Sequence, residues 1–232
     1  MSGFQERLDA VRERIAAACG RAGRDPSSVA LLPVTKTVPP PRIREAADCG
    51  LAVFGESRVQ EARQKIPLCP AALEWHFIGH VQTNKAREAV RLFSTLHAVD
   101  SVHLLEVLDQ ACGQAGVTRR VLLQVNNSGE ASKSGVKPED APALLGAAER
   151  CLRLEVAGLM TIPPASRDPA DARPFFQALR ELRDRLRADT GFDLPELSMG
   201  MSSDFEIAVE EGATWVRLGS ALFGARQPDP EA

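Results

Sequence analysis

The sequence predicts an α/β fold: a single parallel (β/α)8 barrel preceded by one extra N-terminal helix. Three observations predict it. About eight short apolar runs alternate with helix-patterned stretches along the 232 residues, at nearly even spacing. The run Val121-Leu122-Leu123 is apolar at successive positions, as a strand covered on both faces must be. No G-x-G-x-x-G follows the first strand, which argues against an open doubly wound sheet.

The extra helix is expected over residues 4 to 22, where Leu8, Val11, Ile15 and Ala18 share one face and Gly20 and Gly23 suit its end. Strand one follows as Leu31-Leu32-Pro33-Val34-Thr35-Lys36, closed by prolines that cannot donate to a ladder. Arg42 to Cys49 reads as a helix closed by Gly50, Leu51 to Gly55 as strand two, and Glu56 to Lys65 as a charged helix. Glu74 to Gly79 is strand three and Thr83 to Leu92 its helix; Ser94 to Val99 and Val102 to Ala115 make the fourth unit. Arg120 to Val125 is strand five, followed by a polar loop, Asn126 to Lys137, and a helix from Pro138 to Arg150. Leu154 to Ile162 and Pro169 to Asp189 form the sixth unit, Leu197 to Gly200 and Asp204 to Glu211 the seventh, and Trp215 to Leu218 the last strand. No composition shift divides the chain, so residues 1–226 are expected to form one domain, with 227–232 a flexible polar tail.

Composition narrows the function. With 44% hydrophobic residues the chain can bury one sizeable core. A net charge of −3, with lysine and arginine scattered along helices, gives no footprint for nucleic acid. No apolar run approaches the roughly 20 residues of a membrane span, and no apolar signal core opens the chain, so a cytoplasmic protein is expected. Five widely spread cysteines, an odd number with no C-x-x-C pair, argue against a disulfide framework or zinc knuckle. His76 and His80 have helical metal spacing, but the residues between them read as a strand end, so no metal is expected. The surface helices leave no apolar stripe over, and a monomer is expected.

The chemistry centres on Lys36, a lysine at the C-terminal end of strand one, the edge where parallel barrels place their sites. A lysine in a partly dry pocket loses its proton more readily and attacks carbonyl carbon; the alternative is an ordinary solvated amine. Two glycine- and serine-bearing stretches, Ser198 to Asp204 and Arg217-Leu218-Gly219-Ser220, follow strands seven and eight. Barrels bind phosphate there, and strand eight neighbours strand one when the barrel closes. One pocket would then hold a phosphate at one end and an aldehyde at the other.

The segments Val34-Thr35-Lys36, Phe54-Gly55-Glu56 with Val59-Gln60-Glu61, and Trp75-His76-Phe77-Ile78-Gly79-His80 with Gln82-Thr83-Asn84-Lys85 come first in order. Val125-Asn126 with Gly129 to Gly135, Gly158-Leu159-Met160, Ser198 to Asp204, and Val216-Arg217-Leu218-Gly219 with Phe223-Gly224 complete the series. Over nearly the whole chain this series resembles the pyridoxal phosphate homeostasis proteins. The resemblance implies a TIM barrel like the N-terminal domain of alanine racemase, binding pyridoxal 5'-phosphate as an internal aldimine on Lys36. It also implies phosphate contacts near Ser202, Gly219 and Ser220, with Arg217 beside the pyridine nitrogen. Where the family has asparagine after Gly-Glu this chain has Ser57, a shorter group whose cofactor contact is correspondingly altered. Lys85, Lys133 and Lys137 are candidate secondary amines for cofactor in transit.

The expected role is cofactor holding and delivery, with pyridoxal-phosphate-dependent apoenzymes as recipients. A racemase of the alanine racemase type moves protons with a lysine and a tyrosine on opposite faces of the substrate, and the absence of tyrosine from this chain counts against that mechanism, leaving open a cysteine or histidine in its place. The alternatives are a racemase-like enzyme with a one-base or weak activity, and a barrel binding another phosphate ester through the same anion site.

Overall fold

The structure is a computed structural model that describes residues 3–130 and 133–224; Ala131 and Ser132 of the polar loop, and the expected tail at 227–232, lie outside the described residues. Eight parallel strands are laid out in the order β1-β8-β7-β6-β5-β4-β3-β2. They are β1 (Ala30–Pro33), β2 (Val53–Glu56), β3 (Glu74–Phe77), β4 (Thr95–Val99), β5 (Arg119–Gln124), β6 (Leu154–Met160), β7 (Glu196–Ser198) and β8 (Trp215–Leu218). A single bridge between Val34 and Gly55 joins β1 to β2 and closes the barrel. The α/β barrel expected from the sequence is thus the observed fold.

Helices cover the outside: α1 (Gly3–Arg21), α2 (Pro40–Asp48), α3 (Val59–Lys65), α4 (Ala86–Leu92), α5 (Val102–Ala115), α6 (Ala141–Ala148), α7 (Arg173–Thr190), α8 (Phe205–Glu210) and α9 (Ser220–Phe223). Their apolar faces point to the strands, as Phe176, Leu179, Leu182 and Leu186 of α7 do at spacings of three and four. Local chemistry sets the ends. Ser101 caps α5 by accepting from the Leu104 N–H at 3.1 Å, and Gly116 stops it with φ 67°. None of these helices is long and apolar enough to cross a membrane.

The extra helix α1 is part of the main core through Phe4, Leu8, Val11, Ile15 and Ala18. It is also tied to the last elements of the chain. The Arg7 Nε–H donates to the Leu222 carbonyl at 2.6 Å, the Phe4 and Phe223 rings lie 5.3 Å apart, and Arg21 pairs with Glu210 at 2.7 Å. The N-terminal helix therefore holds α9 in place from outside.

Three boundaries differ from expectation. β1 ends at Pro33, so Lys36 lies in the turn beyond the strand, because the Val38 N–H donates to the Thr35 carbonyl and closes a turn over Lys36 and Thr37. Glu56 belongs to β2 and α3 starts only at Val59; the charge of Glu56 suggested a helix, but its side chain is fully buried. The short helix α9 begins directly after Gly219, where the sequence pattern marks no element.

Candidate functional site

The carboxyl ends of β1 and β8 lie side by side, with Leu32 opposite Arg217 and Pro33 opposite Leu218. The Val34 N–H donates to the Leu218 carbonyl at 2.8 Å, carrying the pairing one residue past the strand. A Cβ placed on Gly219 would lie 3.6 Å from the Val34 carbonyl oxygen. The Lys36 turn and the Gly219-Ser220 segment are therefore neighbours, as a closing barrel requires.

Lys36 is exposed, not enclosed as a dry-pocket lysine would be. Its turn is held from below by charge. Lys65, buried on α3, donates from Nζ to the Thr35 carbonyl at 2.7 Å and to Oε1 of Glu56 and of Glu61 at 2.6 Å each. The Thr35 hydroxyl donates to the same Glu56 oxygen at 2.6 Å, and the Glu61 carboxylate accepts the Thr37 N–H at 2.6 Å. Thr37 has φ 64°, a left-handed conformation that a β-branched residue adopts only under constraint. Burial pushes the Glu56 carboxyl up, opposed by the charge of Lys65. None of the Lys65 partners was read as functional from the sequence.

Arg217 is buried on β8. Its Nη1 donates to the Ser198 hydroxyl at 2.8 Å and its Nη2 to the Thr161 carbonyl at 2.9 Å, which engages two of five N–H groups. Burial pulls its pKa down to about 10, with Asp204 acting the other way, so it remains a cation at neutral pH. Asp204 in turn fixes the loop after β7 by accepting the Met201 N–H at 2.6 Å. Ser202 in that loop accepts from the Ala221 N–H at 3.2 Å, bringing Ser202 to the start of α9 beside Gly219 and the exposed Ser220.

Ser57 follows β2 directly and is half-buried. Its carbonyl oxygen would lie 2.3 Å from a Cβ on Gly79, so only glycine lets the β3 loop pass this close. Of the candidate secondary amines, Lys133 pairs with Glu130 at 3.2 Å and lines a cavity of about 210 Å³ with Ile78, Gly79, Gln124 and Ile162. Lys85 is half-buried and Lys137 exposed. His76 lies in β3 facing His97, whereas His80 sits in the following loop 3.4 Å from Asp100. The two histidines do not share a helix face.

The model of the family described as alanine racemase, N-terminal domain, matches residues 7–227. A pyridoxal phosphate homeostasis protein of Aquifex aeolicus strain VF5 is 47% identical over 223 residues, covering 96% of this chain and 98% of the relative. The chain belongs to the pyridoxal phosphate homeostasis protein family. A second member of the family, from Pseudomonas aeruginosa, is 46% identical over 97% of both chains. Among solved structures, PipY of Synechococcus elongatus PCC7942 with PLP bound is 39% identical and superposes with a TM-score of 0.84, over 95% of this chain and 100% of PipY.

Proposed function

We propose that this chain holds pyridoxal 5'-phosphate on Lys36 and serves as a carrier and buffer of the cofactor rather than as a turnover catalyst. One observation carries the reading: the Lys36 turn follows β1, a buried guanidinium with donors to spare lies on the adjacent β8, and Gly219, just past β8, lies against Val34 at the same end of the pair. At Gly219 φ is −104° and no protein atom crowds the Cβ position, so packing within the chain does not demand glycine there. A glycine there suits a ligand that approaches the backbone closely.

When bound, the cofactor supplies an aldehyde that an amine captures and a pyridine ring that withdraws electrons. The chain's residues divide the work. Lys36 is the amine. Ser202, Gly219 and Ser220 are the phosphate-facing group: the Ser202 hydroxyl, already accepting from Ala221, keeps its proton to donate to an anion. Arg217 donates to the ring nitrogen, and as a cation with a pKa of about 10 it does not pass that proton on. An unprotonated pyridine is a poor electron sink, which favours storage over amino-acid chemistry. Ser57 stands near the same mouth, after β2. Release to pyridoxal-phosphate-dependent apoenzymes is the matching cellular use.

The test is a visible absorption spectrum of the chain with pyridoxal 5'-phosphate, followed by borohydride reduction and peptide mapping. The expected result is a stable adduct on Lys36 that Lys36→Ala abolishes. An adduct that survives in Lys36→Ala would overturn the assignment.

A further inference from the structure

A polar column crosses the inside of the barrel, where such folds ordinarily stack apolar side chains. From the carboxyl end of the strands it runs through five side chains. Arg217 Nη1 contacts Ser198 Oγ at 2.8 Å, Ser198 Oγ contacts His97 Nδ1 at 2.9 Å, and His97 Nε2 contacts His76 Nδ1 at 3.0 Å. His76 Nε2 then contacts Glu74 Oε1 at 3.1 Å, and Glu74, the first residue of β3, is half exposed at the opposite mouth. The Ser198–His97 link joins β7 to β4 across the lumen. Trp215 walls the column, its ring 5.0 Å from that of His76 and 6.3 Å from that of His97.

The ends fix the direction of every hydrogen bond between them. A guanidinium only donates, so Ser198 accepts from Arg217; a carboxylate only accepts, so His76 donates from Nε2. Neutral His76 then has a bare Nδ1, which accepts from the Nε2–H of His97, whose own Nδ1 accepts the hydroxyl proton of Ser198. The reverse order would turn the His76 Nε2 lone pair toward a carboxylate and leave the serine proton without its histidine acceptor. Burial keeps both imidazoles neutral, lowering their pKa values, that of His97 most. The carboxylate is itself stabilised by the Ser94 hydroxyl, which donates to the same oxygen at 2.6 Å.

We infer that Glu74, His76, His97 and Ser198 form a one-way hydrogen-bond relay that positions the Arg217 guanidinium, with His97 as the positioning residue at its centre. A serine oxygen that donates into a chain ending on a carboxylate carries more negative charge than an isolated hydroxyl. It therefore grips the guanidinium harder and holds its remaining N–H groups in a fixed direction. That those groups face the cofactor ring rests on the reading of Arg217 given above; the relay itself does not.

Nitrogen-15 NMR of the cofactor-free chain tests the relay directly. Both histidines are expected as neutral Nε2–H tautomers, and Arg217 is expected to show separate Nη proton resonances. In Ser198→Ala those resonances average, and in Glu74→Leu, a change at a half-exposed site, the imidazole shifts of both histidines move. An Nδ1–H tautomer at either histidine, or unchanged spectra in both variants, would overturn the relay. Titration with pyridoxal 5'-phosphate tests the positioning: Ser198→Ala is expected to shift the absorption band and to weaken binding about tenfold, as the loss of a bond to a charged group does. Equal bands and affinities would overturn the positioning role. If the unmutated chain bound no cofactor, the reading of Arg217 would fail with it, and the tautomers would still decide the relay.

Discussion

Lys65 donates its buried ammonium to the carbonyl of Thr35 at 2.7 Å, so a helix outside the barrel grips the backbone one residue before Lys36. The same ammonium pairs with both Glu56 and Glu61, and Glu61 holds the strained Thr37 on the other side of the lysine. Lys36 is thus displayed on a turn whose two flanks are fixed by one ion cluster.

Lys65→Met would leave the Glu56 carboxylate buried with only the Thr35 hydroxyl. Breaking a buried pair from one side costs about 3–5 kcal/mol. The urea midpoint should drop accordingly, and adduct formation on Lys36 should slow. Adding Glu56→Gln to Lys65→Met should restore part of the stability, because the stranded charge is then gone. A double variant less stable than the single one would count against the cluster.

Acid should destabilise the fold early. His76 and His97 stay neutral in the folded chain at pH values where the unfolded chain, with histidine pKa values of about 6.5, takes up protons. The unfolded state then binds more protons, so stability falls as pH falls below about 6.5, and His97, whose pKa burial lowers further, contributes more of the loss than His76. Glu74, held below the usual carboxylate range by the Ser94 hydroxyl, adds a further loss in more acidic solution. Urea midpoints measured between about pH 7 and pH 5 check this, and His97→Leu should remove the larger part of the histidine slope.

Two glycine substitutions should part company. In Gly158→Ala the new Cβ would come within 1.8 Å of the Glu196 carbonyl oxygen, forcing β6 from β7 and lowering the melting temperature sharply. Gly219→Ala meets nothing nearer than 3.6 Å and should melt like the parent. Its effect should fall on pyridoxal 5'-phosphate affinity. Equal binding by Gly219→Ala would remove Gly219 from the ligand's path.

Ser202→Ala would strip the acceptor from the Ala221 N–H at the start of α9. The expected cost is about 1 kcal/mol of stability, with weaker binding of inorganic phosphate. Calorimetric titration with phosphate separates the two effects.

The strands and the placing of Lys36 beside Gly219 were legible in the sequence, because apolar runs and proline or glycine stops repeat at regular spacing. The column inside the barrel was not. His76 between Trp75 and Phe77, and His97 between Leu96 and Ala98, each break an apolar run at one position, which is the period-two mark of a polar side chain turned to the opposite face. That mark shows where such a side chain points but not which partner lies across the lumen. The Lys65 cluster was hidden for another reason. Glu56, Glu61 and Lys65 look like a solvated helix face, and only the bend of the chain after β2 puts them under the lysine.

The bridge between Val34 and Gly55 has one more consequence. β5 and β6 run together over six paired positions, while β1 meets β2 at this one bridge, just ahead of Lys36. Such a closure parts at far lower free energy than global unfolding. This bridge and the Lys36 turn are the same place, so local opening at the bridge loosens the hold on Lys36 while β5 and β6 stay laced. Hydrogen exchange at the Thr35 amide should accordingly run well ahead of exchange along β5.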